Sequence, residues 1–395
     1  MGSTVFHLSA SLVGRGHRVT VITRSGGGDP PPQEGVNVIT VGWTKIPMEF
    51  TRSYGRSALR ELEKLNDSDP VDVVHLHCPM ISWSESQFRR CCEKVAPVVS
   101  SLHGSWLGER DGLIAANKAR EAAVWANPND LAILLTAGRY ARFERAAIRE
   151  SSICVANSHA TKADFEERYR PPESWSCEVI HWGVDTSMFH PMDGEDPGQL
   201  AEYNENRLRY GASEDDSKLI LAVGRLAARK GFGTLLRGFA RLQEKAPESS
   251  LVIVGRGHLR RRLQRQAARL GIGDKVTIES GMPFERLASL FRSADLVVYP
   301  SFYEGQGLIP LEAMASGTPV VTVDDGPLPE MVDTTVGALF SMGDIDSMSD
   351  SMESELRDDV SRRKKGELGR ERVMASFTYE GNAESFESVY SRVVS

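Results

Sequence analysis

Pro300-Ser301-Phe302-Tyr303-Glu304-Gly305-Gln306-Gly307-Leu308-Ile309-Pro310-Leu311-Glu312-Ala313-Met314-Ala315-Ser316-Gly317-Thr318-Pro319-Val320-Val321 is the stretch that decides how this chain is read. It follows an apolar, β-branched run, Leu296 to Tyr299. In order it reads as a strand end, a glycine loop, a short helix opened near Pro310, and a second strand from Pro319 to Val323. Gly305 and Gly307 let the backbone approach a ligand closely. The N–H groups that open the following helix have no intrahelical partners and point toward an anion such as a diphosphate. Glu304 lies in the loop and Glu312 in the first helical turn. An ionised carboxylate accepts strong hydrogen bonds from a diol, so the pair suits sugar hydroxyls. An equally available reading has Glu312 complementing the helix dipole and Glu304 closing the loop.

Working outward, a second loop of the same kind, Gly224-Arg225-Leu226-Ala227-Ala228-Arg229-Lys230-Gly231, leaves the apolar run Lys218 to Val223. Arg225 and Lys230 there are placed to neutralise an anion at a strand's carboxyl end. Further strands are expected at Ser250 to Val254 and Lys275 to Ile278. An earlier series covers Arg18 to Thr23, Val71 to Leu76, Pro97 to Leu102, Ser152 to Ala156 and Glu178 to His181. Amphipathic stretches separate the strands, which predicts an α/β fold of two doubly wound, Rossmann-like domains facing across a cleft. The stretch Met192 to Arg209, rich in Gly, Asp, Glu and Asn, reads as the linker. The predicted domains are 1–190 and 191–378. A final helix over 379–395, with Phe386, Val389, Tyr390 and Val393 on one face, is expected to pack back on the first domain.

With 395 residues, one hydrophobic core is too few, which supports two domains. The net charge of −7 gives no global footprint for nucleic acid, and no nucleic-acid partner is expected. No run approaches the roughly 18 apolar residues of a membrane span, so a cytoplasmic location is expected. The five cysteines (Cys78, Cys91, Cys92, Cys154, Cys177) form no C-x-x-C pair and read as reduced structural thiols.

Taken together the loops resemble the retaining family 4 glycosyltransferases of the two-Rossmann-domain B type. The resemblance runs through Gly16-His17, Val73 to His77, Leu102-His103-Gly104, Ala156-Asn157-Ser158 and Gly183-Val184-Asp185 with Phe189 and Pro191. It continues through the Gly224 to Gly231 loop, Val254-Gly255-Arg256-Gly257, the Glu304 and Glu312 pair with seven residues between, and Gly326 to Glu330. It implies a nucleotide-diphosphate-sugar as donor substrate and no cofactor or metal. Arg225 and Lys230 would bind the diphosphate, Glu304 the transferring sugar and Glu312 the ribose. Backbone N–H groups of Gln306, Gly307 and Leu308 would help cradle phosphate. Gly2, Gly224, Gly255 and Gly305 complete the expected donor set. His103 resembles the family's cleft histidine and joins Glu304, Arg225 and Lys230 as a catalytic candidate. Trp106, Arg110 and Arg139 are expected on the acceptor side, with Trp125 and Asn127 in the same segment; the acceptor would be a glycan, a lipid-linked sugar or a small molecule.

Four features stand apart. Asp344-Ile345-Asp346 looks like a magnesium motif but precedes a helix and reads as a cap. His75 and His77 lie close together without a third metal ligand. From Arg256 to Arg269 there are six arginines and no acid, which reads as a solvated helix face and leaves peripheral contact with an anionic membrane as the other reading. Finally, Met1-Gly2-Ser3 runs straight into a helical pattern (Val5, Leu8, Ser9, Leu12, Val13), so the family's first strand is expected to be missing, through a late start or a truncation. Two other functions share this framework: a sugar-nucleotide epimerase or hydrolase, and a truncated donor-binding protein without catalysis.

Overall fold

The computed structural model describes residues 2–26, 33–46, 49–78, 81–213 and 216–395. The chain forms two compact units, one of residues 1–110, 125–182 and 379–395, the other of 111–124 and 183–378. The boundary expected at 190/191 stands beside this observed division after Trp182.

In the first unit the order is α1 (Gly2–Gly14), β1 (Val19–Arg24), β2 (Val36–Val41), α2 (Phe50–Ser68), β3 (Val74–Cys78), α3 (Glu85–Lys94) and β4 (Val98–Leu102). Then come α4 (Trp106–Lys118), which runs on into the second unit, α5 (Pro128–Glu150), β5 (Ile153–Ala156), α6 (His159–Tyr169) and β6 (Cys177–Val179). All strand pairs are parallel, and they form two separate sheets, β1-β2 and β3-β4-β5-β6. Every residue of β1 is only half-buried, whereas β4 and β5 are wholly buried. Among the described residues no strand precedes α1, which buries Leu8 and Leu12 as the helical pattern requires.

The second unit contains α7 (Pro197–Arg209), β7 (Lys218–Val223), α8 (Phe232–Gln243), β8 (Ser249–Val254), α9 (Arg260–Arg269), β9 (Val276–Glu279), α10 (Phe284–Ser293) and β10 (Leu296–Tyr299). It continues with α11 (Leu308–Ala315), β11 (Val320–Val323), β12 (Gly337–Phe340), α12 (Ile345–Arg357) and α13 (Asp359–Ser376). The linker stretch is therefore helical from Pro197 on: Asp196 caps α7 by accepting from the N–H groups of Gly198 and Gln199, with Pro197 in the first turn. The six strands are parallel in the order β12-β11-β10-β7-β8-β9. Leu219 to Ala222, Leu251 to Ile253 and Leu296 to Val298 are fully buried, because helices cover both faces of such a sheet. The chain moves from β7 outward to β9 and then returns to β10 on the other side of β7. The strand order thus reverses between β7 and β10, and ligands of open α/β sheets bind beyond the carboxyl ends at that point. The last helix, α14 (Tyr379–Val394), belongs to the first unit, where Phe386 and Val389 are buried and His7 stacks on Tyr379 with ring centroids 4.7 Å apart.

Candidate functional site

The loops singled out from sequence leave β7 and β10, the two strands at the reversal. They are tied to each other: Phe302 N donates to the Arg229 carbonyl at 2.7 Å. Gly231 has φ of 71°, and a Cβ there would sit 2.0 Å from the Pro300 carbonyl oxygen, so only glycine lets the loops meet. Gly255, at the end of β8, approaches as closely: its Cβ would lie 1.8 Å from the Gly224 carbonyl oxygen.

At the meeting point Glu304 Oε1 accepts hydrogen bonds from Lys230 Nζ, from Tyr299 Oη at 2.7 Å and from Ser301 Oγ at 2.6 Å. Lys230 also donates to Tyr299 Oη at 2.9 Å and is buried. Burial pushes the Glu304 carboxyl up. The Lys230 ammonium, then Arg229, then the hydrogen bonds from Lys230 and Ser301 outweigh it and hold the pKa down to about 2. Glu304 is therefore ionised. Burial lowers the Lys230 pKa while Glu304 opposes, and Arg229 and Arg225 add to the lowering, which places both guanidinium groups within electrostatic reach. Two donors of the Lys230 ammonium are engaged, and the third has no acceptor among the described residues. Arg225 is exposed and has no side-chain hydrogen bond or ion pair among the described residues.

Gly307 directly precedes α11, which opens near Pro310 as expected, at Leu308; Glu312, expected in the first turn, is the fifth residue and lies beyond it. Gln306 is buried, with Nε2 donating to Met331 Sδ at 3.9 Å. Glu312 follows on α11, half-buried, with no side-chain partner among the described residues. Burial alone pushes its pKa up to about 7. A desolvated carboxyl without a protein donor is chemically suited to ligand hydroxyls.

Sequence reasoning missed Tyr299, Ser301 and Arg229. The available signal was a tyrosine ending an otherwise aliphatic strand, at the position where β10 meets the loop.

In the first unit, His103 follows β4. Its Nδ1 accepts from Trp182 Nε1 at 3.2 Å, and its Nε2 lies 2.9 Å from His77 Nδ1. An indole only donates, so the neutral His103 ring carries its proton on Nε2 and donates it to His77. Burial first, then His77, lowers the His103 pKa well below the usual histidine range and keeps the ring neutral. The rings of His75, His77, His103 and Trp182 stack in sequence, with 4.4, 5.2 and 5.3 Å between centroids. His75 is held between Tyr390 Oη and Ser101 Oγ, each at 2.7 Å. This accounts for the two strand histidines as a hydrogen-bonded stack. Trp106 packs with Ala137, Tyr140 and Phe143, and its buried Nε1 has no partner among the described residues. Asn127 caps α5. Arg139 is exposed on α5, Arg110 is half-buried on α4, and Gly2 is the exposed first residue of α1. Asp344 caps α12, accepting from the N–H groups of Asp346 and Ser347 at 3.0 Å each.

Comparison with known proteins agrees along the chain. Residues 1–188 match the family model described as Glycosyltransferase Family 4, and residues 205–372 match the one described as Glycosyl transferases group 1. An uncharacterized glycosyltransferase of Methanocaldococcus jannaschii is 30% identical over 337 residues, 84% of this chain and 78% of the relative. Sucrose-phosphate synthase from Thermosynechococcus elongatus has a similar structure, with a TM-score of 0.77 at 22% identity, covering 98% of this chain and 91% of that one. Anabaena HepE in complex with UDP-glucose gives a TM-score of 0.67 at 16% identity, covering 94% and 99%.

Proposed function

The chain belongs to the family 4 glycosyltransferases, and we propose that it transfers a hexosyl group, with retention, from a nucleotide-diphosphate-sugar to the hydroxyl of a glycan, glycolipid or small molecule. The observation that carries this reading is the Lys230–Glu304 pair at the reversal between β7 and β10, with Arg225 free beside it. Breaking the bond from the sugar's anomeric carbon to the diphosphate sends the electron pair to the leaving oxygen. Arg225, the third donor of Lys230 and the N–H groups opening α11 stabilise that charge, and preorganised donors at a developing anion are the largest single catalytic term. Glu304 Oε2 takes no hydrogen bond among the described residues and is available to the sugar, while Glu312 takes the ribose hydroxyls. The positive field comes from side chains and a helix terminus, so no metal or other cofactor enters the reading. The acceptor is assigned to the first domain in this reading, with His103 its catalytic candidate; serving substrate would require His103 to exchange one of its two ring hydrogen bonds.

Glu304→Ala removes a group that contacts the transferring sugar. Turnover is expected to fall about a hundredfold or more, with the protein folded. Steady-state transfer, measured across a panel of UDP-, ADP- and GDP-sugars with circular dichroism as the folding control, decides it; activity retained with every donor the parent accepts removes Glu304 from the sugar site. Donor incubated without acceptor separates transfer from the hydrolase and epimerase readings, which predict full turnover under that condition.

A further inference from the structure

The six arginines from Arg256 to Arg269 are not used by the site described above. Arg256 lies in the loop after β8, and the other five are on α9, a helix that buries only Leu263 and Ala267. Arg256, Arg261, Arg262, Arg265 and Arg269 are exposed, and none of the six makes an ion pair among the described residues. Their side-chain hydrogen bonds go to neutral groups: Arg260 to Ser280 and to the Ile278 carbonyl, Arg262 to the Arg120 carbonyl, and Arg265 and Arg269 to carbonyls of their own helix. The Arg262 contact brings a further exposed cation, Arg120, to the same face. On a chain of net charge −7, an uncompensated cationic face is a local feature and not a consequence of composition.

An apolar element adjoins it. The loop Ser280 to Pro283 packs on this cluster: Arg260 reaches Ser280, and a Cβ at Gly281 would meet Arg256 Nη2 at 3.3 Å. The residue after that loop, Phe284, is 63% exposed. Arginines that keep their charge in water beside an exposed aromatic match the interface of an anionic bilayer, where headgroups neutralise the cations and the ring enters the acyl boundary. A nucleic-acid duplex, bound through its phosphates, would use the charges but would leave Phe284 without a role.

We propose that the α9 face, with Phe284 at its edge, docks this protein on an anionic lipid surface. Arg256 and Leu226 are linked through backbone hydrogen bonding at the carboxyl edge of the sheet, so the docked face adjoins the Gly224 to Gly231 loop. A lipid-linked acceptor in the same bilayer would then be held beside the donor loops. The proposal stands apart from the assignment of the donor residues.

The test is cosedimentation of the full chain with phosphatidylcholine vesicles that contain phosphatidylglycerol, against phosphatidylcholine alone. The parent is expected to bind the anionic vesicles only, less so as salt rises. Arg261→Gln/Arg265→Gln/Arg269→Gln removes three charges, each worth about fivefold near an anionic surface, so partitioning should fall about a hundredfold. Phe284→Ser should weaken it several-fold with the salt dependence unchanged. Nucleotide-sugar binding should be unaltered in both variants, which also reports that they fold. No binding by the parent, equal binding by either variant, or binding to a DNA duplex with none to vesicles would overturn the proposal.

Discussion

Glu304 and Glu312 lie on one loop–helix segment, yet their surroundings drive them apart, the first down to about 2 and the second up to about 7. The Lys230 and Arg229 charges and the hydrogen bonds from Lys230 and Ser301 outweigh the burial of Glu304, whereas nothing compensates the burial of Glu312. A carboxyl whose folded pKa is raised binds its proton more tightly when folded. The contribution of Glu312 to stability therefore falls as pH rises from about 4.5 through about 7. Donor binding should move the opposite way, because only the ionised group accepts from both ribose hydroxyls. Affinity for a nucleotide-sugar, whose diphosphate diester does not titrate in this range, is expected to rise several-fold across about pH 7 in the parent and to stay flat in Glu312→Gln. Calorimetry over a pH series checks it, and a parallel rise in both proteins would remove Glu312 from the ribose site. The two glutamates were legible because they sit in one local motif. Tyr299 was not: its partner Lys230 is 69 residues away, and only the pairing of β7 with β10 brings them together.

At the scale of elements, the N-terminus of α8 is closed by a residue far away in sequence. Glu121 accepts from the N–H of Gly233 at 2.7 Å, from the N–H of Thr234 at 2.5 Å and from the Thr234 hydroxyl, and it is buried. Both belong to the second unit, so this cap fastens the segment 111–124 to the helix that follows the Lys230 loop. Glu121→Ala leaves two buried N–H groups unsatisfied and should lower stability by about 1–3 kcal/mol, while Glu121→Gln, which keeps an acceptor, should lower it less. Thermal denaturation of the two variants decides it; equal stability of Glu121→Ala and the parent would show that the cap carries no weight. Sequence patterning found the strands with long aliphatic runs and missed β2 and β12. β2 is an edge strand of the β1-β2 sheet, where exposed Asn37 and Thr40 interrupt the apolar run, and β12 is four residues long and begins with Gly337. α7 was read as linker because its composition is polar, although Asp196-Pro197 is a helix-start signal.

At the scale of the molecule, all cationic groups assigned to the donor lie in one unit, 111–124 with 183–378, on a single sheet whose reversal aligns two loops. Of the Asp344 and Asp346 pair, the motif that most resembled a magnesium site, the Asp344 carboxylate caps α12 and the Asp346 carboxylate lies 3.7 Å from Arg241. Transfer is accordingly expected to survive a chelator; activity abolished by chelation and restored by magnesium would contradict this part of the reading. The central claim is that Arg225 and Lys230 hold the donor's diphosphate. It is tested most directly by calorimetric binding of UDP, ADP and GDP to the parent and to Arg225→Ala/Lys230→Ala, with circular dichroism to confirm folding. Charge-assisted hydrogen bonds to a buried anion are each worth about 1.5–3 kcal/mol, so the nucleotide that binds the parent should bind the double variant at least a hundredfold more weakly. A folded variant that binds that nucleotide as tightly as the parent would contradict the account.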